Sequence, residues 1–137
     1  MSSSYISESL RRYVYARANG RCEYCLLPAF AVLVPHEADH VVARKHGGAT
    51  EEANLALSCR ICNKHKGSDL TSVDPTSGAV ELLYNPRQHL WREHFFLEQD
   101  GRITPLTPEG RVTVRLLQIN EPARIEERQL LLTTGEL

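Results

Sequence analysis

Four cysteines, one Asp-His pair and two asparagines have the types and spacing in this 137-residue chain that chemistry would need. Cys22 and Cys25 form one Cys-x-x-Cys pair, Cys59 and Cys62 a second, and the 33 residues between them include Asp39, His40 and Asn54. Thiolates suit Zn2+, and four of them close a tetrahedral site with no open position, so such a site supplies folding energy rather than a reactive water. Isolated buried thiols rarely fall into two matched pairs, and the βαβ pattern expected around a redox Cys-x-x-Cys is missing. Residues 26–58 are then clamped at both ends to one ion, a frame able to hold a reactive constellation. Directly after the last cysteine come Asn63, Lys64, His65 and Lys66.

Read in order, Cys22-Cys25, Asp39-His40, Gly47-Gly48, Asn54-Leu55, Cys59-Cys62-Asn63 and Lys66-Gly67 resemble the HNH endonucleases. The resemblance spans about a third of the chain, residues 22–67. It departs at Ala43, where family members often carry proline, and a local backbone adjustment is expected there. The resemblance implies a ββα-metal fold and metal-assisted, in-line hydrolysis of a DNA phosphodiester. His40 would be the general base, a task suited to an imidazole. Asp39 and Asn63 would hold a catalytic divalent ion, Mg2+ or Mn2+ by the oxygen donors, which neutralises charge on the phosphate and the departing 3′-oxygen. Asn54 would fix the loop that orients His40, and Lys66 would contact a phosphate. By their charge, His46 and His65 among Arg44, Lys45, Lys64 and Lys66 form a basic cluster that either follows the DNA backbone or is a plain solvated face. The competing reading keeps the fold without the chemistry, as a zinc-stabilised module binding nucleic acid or protein, with Asp39, His40 and Asn63 as surface remnants. Convergence of acid, imidazole and amide discriminates the two.

The elements that must position these residues are legible in part. Ser7 to Asn19 reads as a helix with Leu10, Tyr13 and Val14 on one side and Gly20 as its stop. Ala29 to Val34 has strand composition, with Pro35 ending it before His36 to His40, and the region reads as a short hairpin. Thr50 before Glu51-Glu52 looks like the N-cap of a brief helix. Arg60 to Lys66 reads as a helix closed by Gly67, with Asn63 and Lys66 on one face. In a flat strand Asp39 and His40 face opposite ways, so the pair must sit at a strand end where the chain can curl. His36 shares the face of His40, as a further ligand, a substrate contact or a plain hydrogen-bonded side chain.

Beyond Gly67, Ser68 to Gly78 reads as a turn-rich linker and Ala79 to Tyr84 as a strand. Asn85-Pro86 opens a helix burying Leu90, Trp91 and Phe95, Asp100-Gly101 makes a hairpin turn, and Thr107-Pro108 starts another helix with Val112, Leu116, Leu117 and Ile119 inward. Asn120 to Leu132 forms a last helix. His89 and His94 look structural, and Arg87, Arg92 and Arg111 remain available to DNA. The expected architecture is therefore α+β: an HNH core over 5–68 stapled by a four-cysteine zinc site, with a strand-and-helix extension over 69–137 packed on it, together one domain of 1–137.

Composition sets the remaining bounds. Apolar residues make up 42% of the chain, enough for one modest core, and nothing approaches a membrane span. The polar, disordered-looking start Met1 to Ser4 shows no signal-peptide pattern, so a cytoplasmic location with reduced thiols is expected. The net charge of −1 hides an asymmetry: residues 1–66 carry nine Lys+Arg against six Asp+Glu, residues 67–137 seven against eleven. The basic half holds the cysteines and the motif. The partner that the resemblance implies is DNA, and no membrane is expected.

Overall fold

The computed structural model describes residues 5–137, and the expected disordered start at Met1 to Ser4 lies outside them. The chain divides into two compact units, one running through Lys64 together with Asn85–Gln88, the other His65–Tyr84 with His89–Leu137. Among the described residues no helix is long and apolar enough to cross a membrane.

The first unit begins with α1, Glu8–Arg17, whose N-cap Ser7 accepts from the Leu10 amide at 3.2 Å. Its inward face is narrow: Val14 is fully buried and packs with Ile6, Leu55 and Leu57, while Leu10 and Ala18, one turn to either side, pack against that cluster. Tyr13 points outward and is exposed, unlike the face expected for it, because it lies off the Leu10–Val14–Ala18 stripe. Two short strands follow, β1 at Glu37–His40 and β2 at Leu55–Ser58, antiparallel with Asp39 opposite Ala56 and His40 opposite Leu55. Every residue of β2 is buried, so the apolar strand carries the burial and the polar string Glu37–His40 becomes a strand by pairing with it. Burying Leu55 and Leu57 contributes about 1.5–3 kcal/mol each. The apolar run from Ala29 does not form the expected strand. Bracketed by Pro28 and Pro35, it makes a 3-10 turn at Ala29–Ala31 and leaves Phe30 and Leu33 exposed. Helix α2, Arg60–Lys66, follows β2, and Gly67 after it takes a left-handed φ of 51°.

The second unit holds two hairpins and two helices. Strand β3, Thr71–Val73, lies inside the expected linker and pairs with β4, Val80–Leu82. Its Thr-Ser-Val sequence has no apolar alternation because neither Thr71 nor Val73 is buried. Asn85-Pro86 opens a turn rather than a helix, since the Asn85 side-chain oxygen accepts from the Arg87 amide at 2.8 Å. Helix α3 is only Trp91–His94, and Phe95 already belongs to β5, Phe95–Leu97, paired with β6, Ile103–Pro105. Helices α4, Pro108–Leu116, and α5, Pro122–Thr133, complete the unit. Phe95, Ile103, Val112, Leu117 and Ile119 are buried, whereas Leu90 is about half exposed.

Candidate functional site

The two cysteine pairs meet. The Sγ atoms of Cys22, Cys25, Cys59 and Cys62 lie within 4.8 Å of one another, all four residues buried. Cys25 and Cys59 are 3.7 Å apart, the separation of two sulfurs on a tetrahedral zinc with bonds of about 2.3 Å. Local backbone builds each half: the Cys22 amide donates to the Leu27 carbonyl at 2.9 Å, and the Cys62 amide donates to Cys59 Sγ at 3.4 Å in the first turn of α2. Burial pushes the Cys22 and Cys62 thiols well above their ordinary range, while a hydrogen bond from Cys22 holds Cys59 below it. Gathering four buried thiols is costly unless a cation takes them as thiolate ligands, so the donor set fits a metal.

Asp39 and His40 are the last two residues of β1, and the ladder stays in register through both. Bending begins only at Val41, with the Val41 amide donating to the Asn54 carbonyl at 2.8 Å. By strand alternation Glu37 and Asp39 share one face and Ala38 and His40 the other. Ala38 packs on the Val14 cluster. Burial, and then the negative charge of Asp39, push the phenol of buried Tyr24 well above its ordinary range. Asn63, one residue beyond Cys62, donates from Nδ2 to the Glu37 carboxylate at 2.9 Å. The face of β1 that carries Asp39 is thus the one that α2 approaches with Asn63.

His40 reaches the loop instead, with Nε2 2.8 Å from the Thr50 hydroxyl. Thr50 is not the expected helix N-cap: a 3-10 turn runs over Glu52–Asn54 with Glu51 before it and no side-chain cap. Asn54 ties the loop from inside. Its Oδ1 accepts from the Val42 amide at 3.0 Å, and its Nδ2 donates to the carbonyls of Val42 at 2.9 Å and Ala49 at 2.8 Å. The Gly-Gly turn has two separate causes. Gly47 sits at φ 90°, and a Cβ on Gly48 would lie 1.7 Å from the Val42 carbonyl oxygen. Ala43 needs no adjustment for lacking proline, since its φ of −62° is the value a proline ring imposes.

The basic residues do not form one set. Arg44, Lys45 and Lys64 are exposed and His65 half-buried, but Lys66 is only 2% exposed, so its ammonium is withdrawn from the surface expected to meet a phosphate. Arg87 is engaged by Glu23 and Arg111 by Asp74, while Arg92 stays exposed. His36 is a hydrogen-bonded side chain, Nε2 lying 2.7 Å from the Leu27 carbonyl. Three further contributors escaped the sequence reading. Glu37 bonds Asn63, Thr50 bonds His40, and Arg17 at the end of α1 donates to the carbonyls of Glu52 and Leu55 that flank Asn54. Only Glu37 left a signal, as an acid two residues before Asp39. Thr50 and Arg17 act through contacts that no local spacing announces.

Residues 22–69 match the model of the HNH endonuclease family. No curated protein and no solved structure matches the chain.

Proposed function

With an HNH endonuclease domain over residues 22–69 as the premise, we propose that the chain is an endonuclease hydrolysing DNA phosphodiester bonds, with His40 as general base. The observation that carries this reading is the arrangement around β1: Asp39 on the face that Asn63 approaches, and His40 at the strand end held by Thr50. In the tautomer that this reading requires, Nε2 donates to Thr50 and Nδ1 takes a proton from the attacking water. Asn54 keeps the loop closed so that His40 and Thr50 stay in register.

Asp39 and Asn63 would hold a divalent ion, Mg2+ or Mn2+ by the all-oxygen donor set, and when bound it supplies positive charge for the phosphate and the departing 3′-oxygen. The four cysteines would hold zinc as a structural frame. Exposed Arg44, Lys45 and Lys64, with His65, would follow the DNA backbone. The protein works as a cytoplasmic enzyme on this reading, its thiols kept reduced.

An end-labelled DNA duplex incubated with zinc-loaded protein and Mg2+ or Mn2+ tests the proposal. Products bearing 3′-hydroxyl and 5′-phosphate ends are expected. Retarded but intact DNA under every metal would replace the nuclease with a zinc-stabilised binding module.

A further inference from the structure

We propose that Glu37 is the positioning residue that turns the Asn63 amide toward the catalytic ion, an inference that rests on Asn63 being a ligand of that ion. A carboxamide has two ends of nearly equal shape, and only Oδ1 can bind a cation. Which end faces the ion is therefore decided by what holds the other. A carboxylate accepts and cannot donate, so Glu37, 2.9 Å from Asn63, selects the Nδ2 end and excludes the flipped amide, in which two oxygens would meet at that distance. Oδ1 is left as the free end.

The frame makes this choice necessary. The backbone of Asn63 is fixed from behind, its amide donating to the Cys59 carbonyl at 2.9 Å within the cysteine-clamped first turn of α2. The side chain still has an amide orientation to settle, and Glu37 sits where it can settle it: on β1, two residues before Asp39 and on the same strand face. One short strand thus supplies both a ligand and the residue that orients the second ligand brought by the helix. Glu37 is exposed, so the pair lies where a hydrated ion can enter.

The test is a double-mutant cycle on Mn2+ affinity, read from the electron paramagnetic resonance signal of free Mn2+ in solutions of the full-length, zinc-loaded chain without DNA. Zinc content and circular dichroism confirm that each variant is folded. Glu37→Ala is expected to weaken Mn2+ binding roughly 10-fold, as loss of an orienting partner does. Glu37→Gln is expected to fall between, because its amide can pair with either end of Asn63. In an Asn63→Ala background, Glu37→Ala is expected to add less than about 2-fold. An undiminished effect in that background would overturn the proposal, making Glu37 a ligand or a bare charge. Unchanged affinity in Glu37→Ala, beside a loss in Asn63→Ala, would overturn it alone. Unchanged affinity in Asn63→Ala, or no saturable Mn2+ binding by the parent chain, would remove the ligand reading and this inference together.

Discussion

The unit that bears Asp39, His40 and Asn63 adds to its apolar cluster of Ile6, Val14, Leu55 and Leu57 four clustered thiols and polar ties such as Asn54 to Val42. The unit built from β3 to β6, α4 and α5 instead surrounds buried Phe95, Ile103, Val112, Leu117 and Ile119 with buried arginines. Arg128, 1% exposed, donates to the Gly101 and Ile119 carbonyls, and Arg124 donates to those of Leu117 and Gln118. Asp74, fully buried, takes two hydrogen bonds from Arg111 at 2.9 and 2.8 Å. Donors on irregular backbone can be held by a ligand-sized frame or by packing, and the unit with the four cysteines has the first.

Metal removal should separate the two units most. A strong zinc chelator, or Cys59→Ser, should raise hydrogen exchange throughout residues 22–64, since structural zinc sites contribute on the order of 10 kcal/mol. The lone tryptophan, Trp91, lies in the second unit, so its emission should change at a different chelator concentration. A single shared transition would break the comparison.

Gly48→Ala comes next. Its Cβ meets the Val42 carbonyl at 1.7 Å, so the loop must move, at a cost of about 1–3 kcal/mol or more. Thermal unfolding of the zinc-loaded variant should show a lower midpoint, and cutting should fall with it.

The second unit has its own signature in acid. Two hydrogen bonds from Arg111, with the Thr76 amide, hold the Asp74 carboxyl well below the usual carboxylate range. A depressed folded value means this stability is complete above about pH 4, where the unfolded carboxylate is ionised, and is lost as pH falls through the folded value. Asp74→Asn should therefore lower the melting midpoint at neutral pH and flatten its decline in acid. A parallel pH profile would show that Asp74 contributes nothing to that decline.

The smallest effect is a gain. Ala43 already holds the φ of a proline, so Ala43→Pro should stabilise the zinc-loaded protein by about 0.4–1 kcal/mol in urea unfolding, with cutting retained.

The same contrast explains what the sequence made legible. Thiol spacing and the order Asp39-His40, Asn54, Asn63 are local patterns, and helices α1, α2, α4 and α5 announce themselves by caps and periodicity. A strand ending at Asp39-His40 is legible in the sequence, but its partner is not: Ala29 to Val34 has strand composition, yet β1 pairs with β2. Thr50, read locally, is an N-cap, and only the fold reveals it as the partner of His40 across ten residues. Lys66, read by helical spacing, belongs with Asn63 on a surface, yet the structure buries it. Spacing identifies which residues can ligate or react, whereas tertiary packing decides which of their neighbours are spent on holding them.

Conversion of supercoiled plasmid to nicked circle and linear DNA, with Mg2+, Mn2+ or chelator, compares the parent chain most directly with His40→Ala at matched zinc content. Metal-dependent cutting by the parent and none by the folded variant is the predicted result. Equal rates for both would contradict the assignment of His40 as the general base.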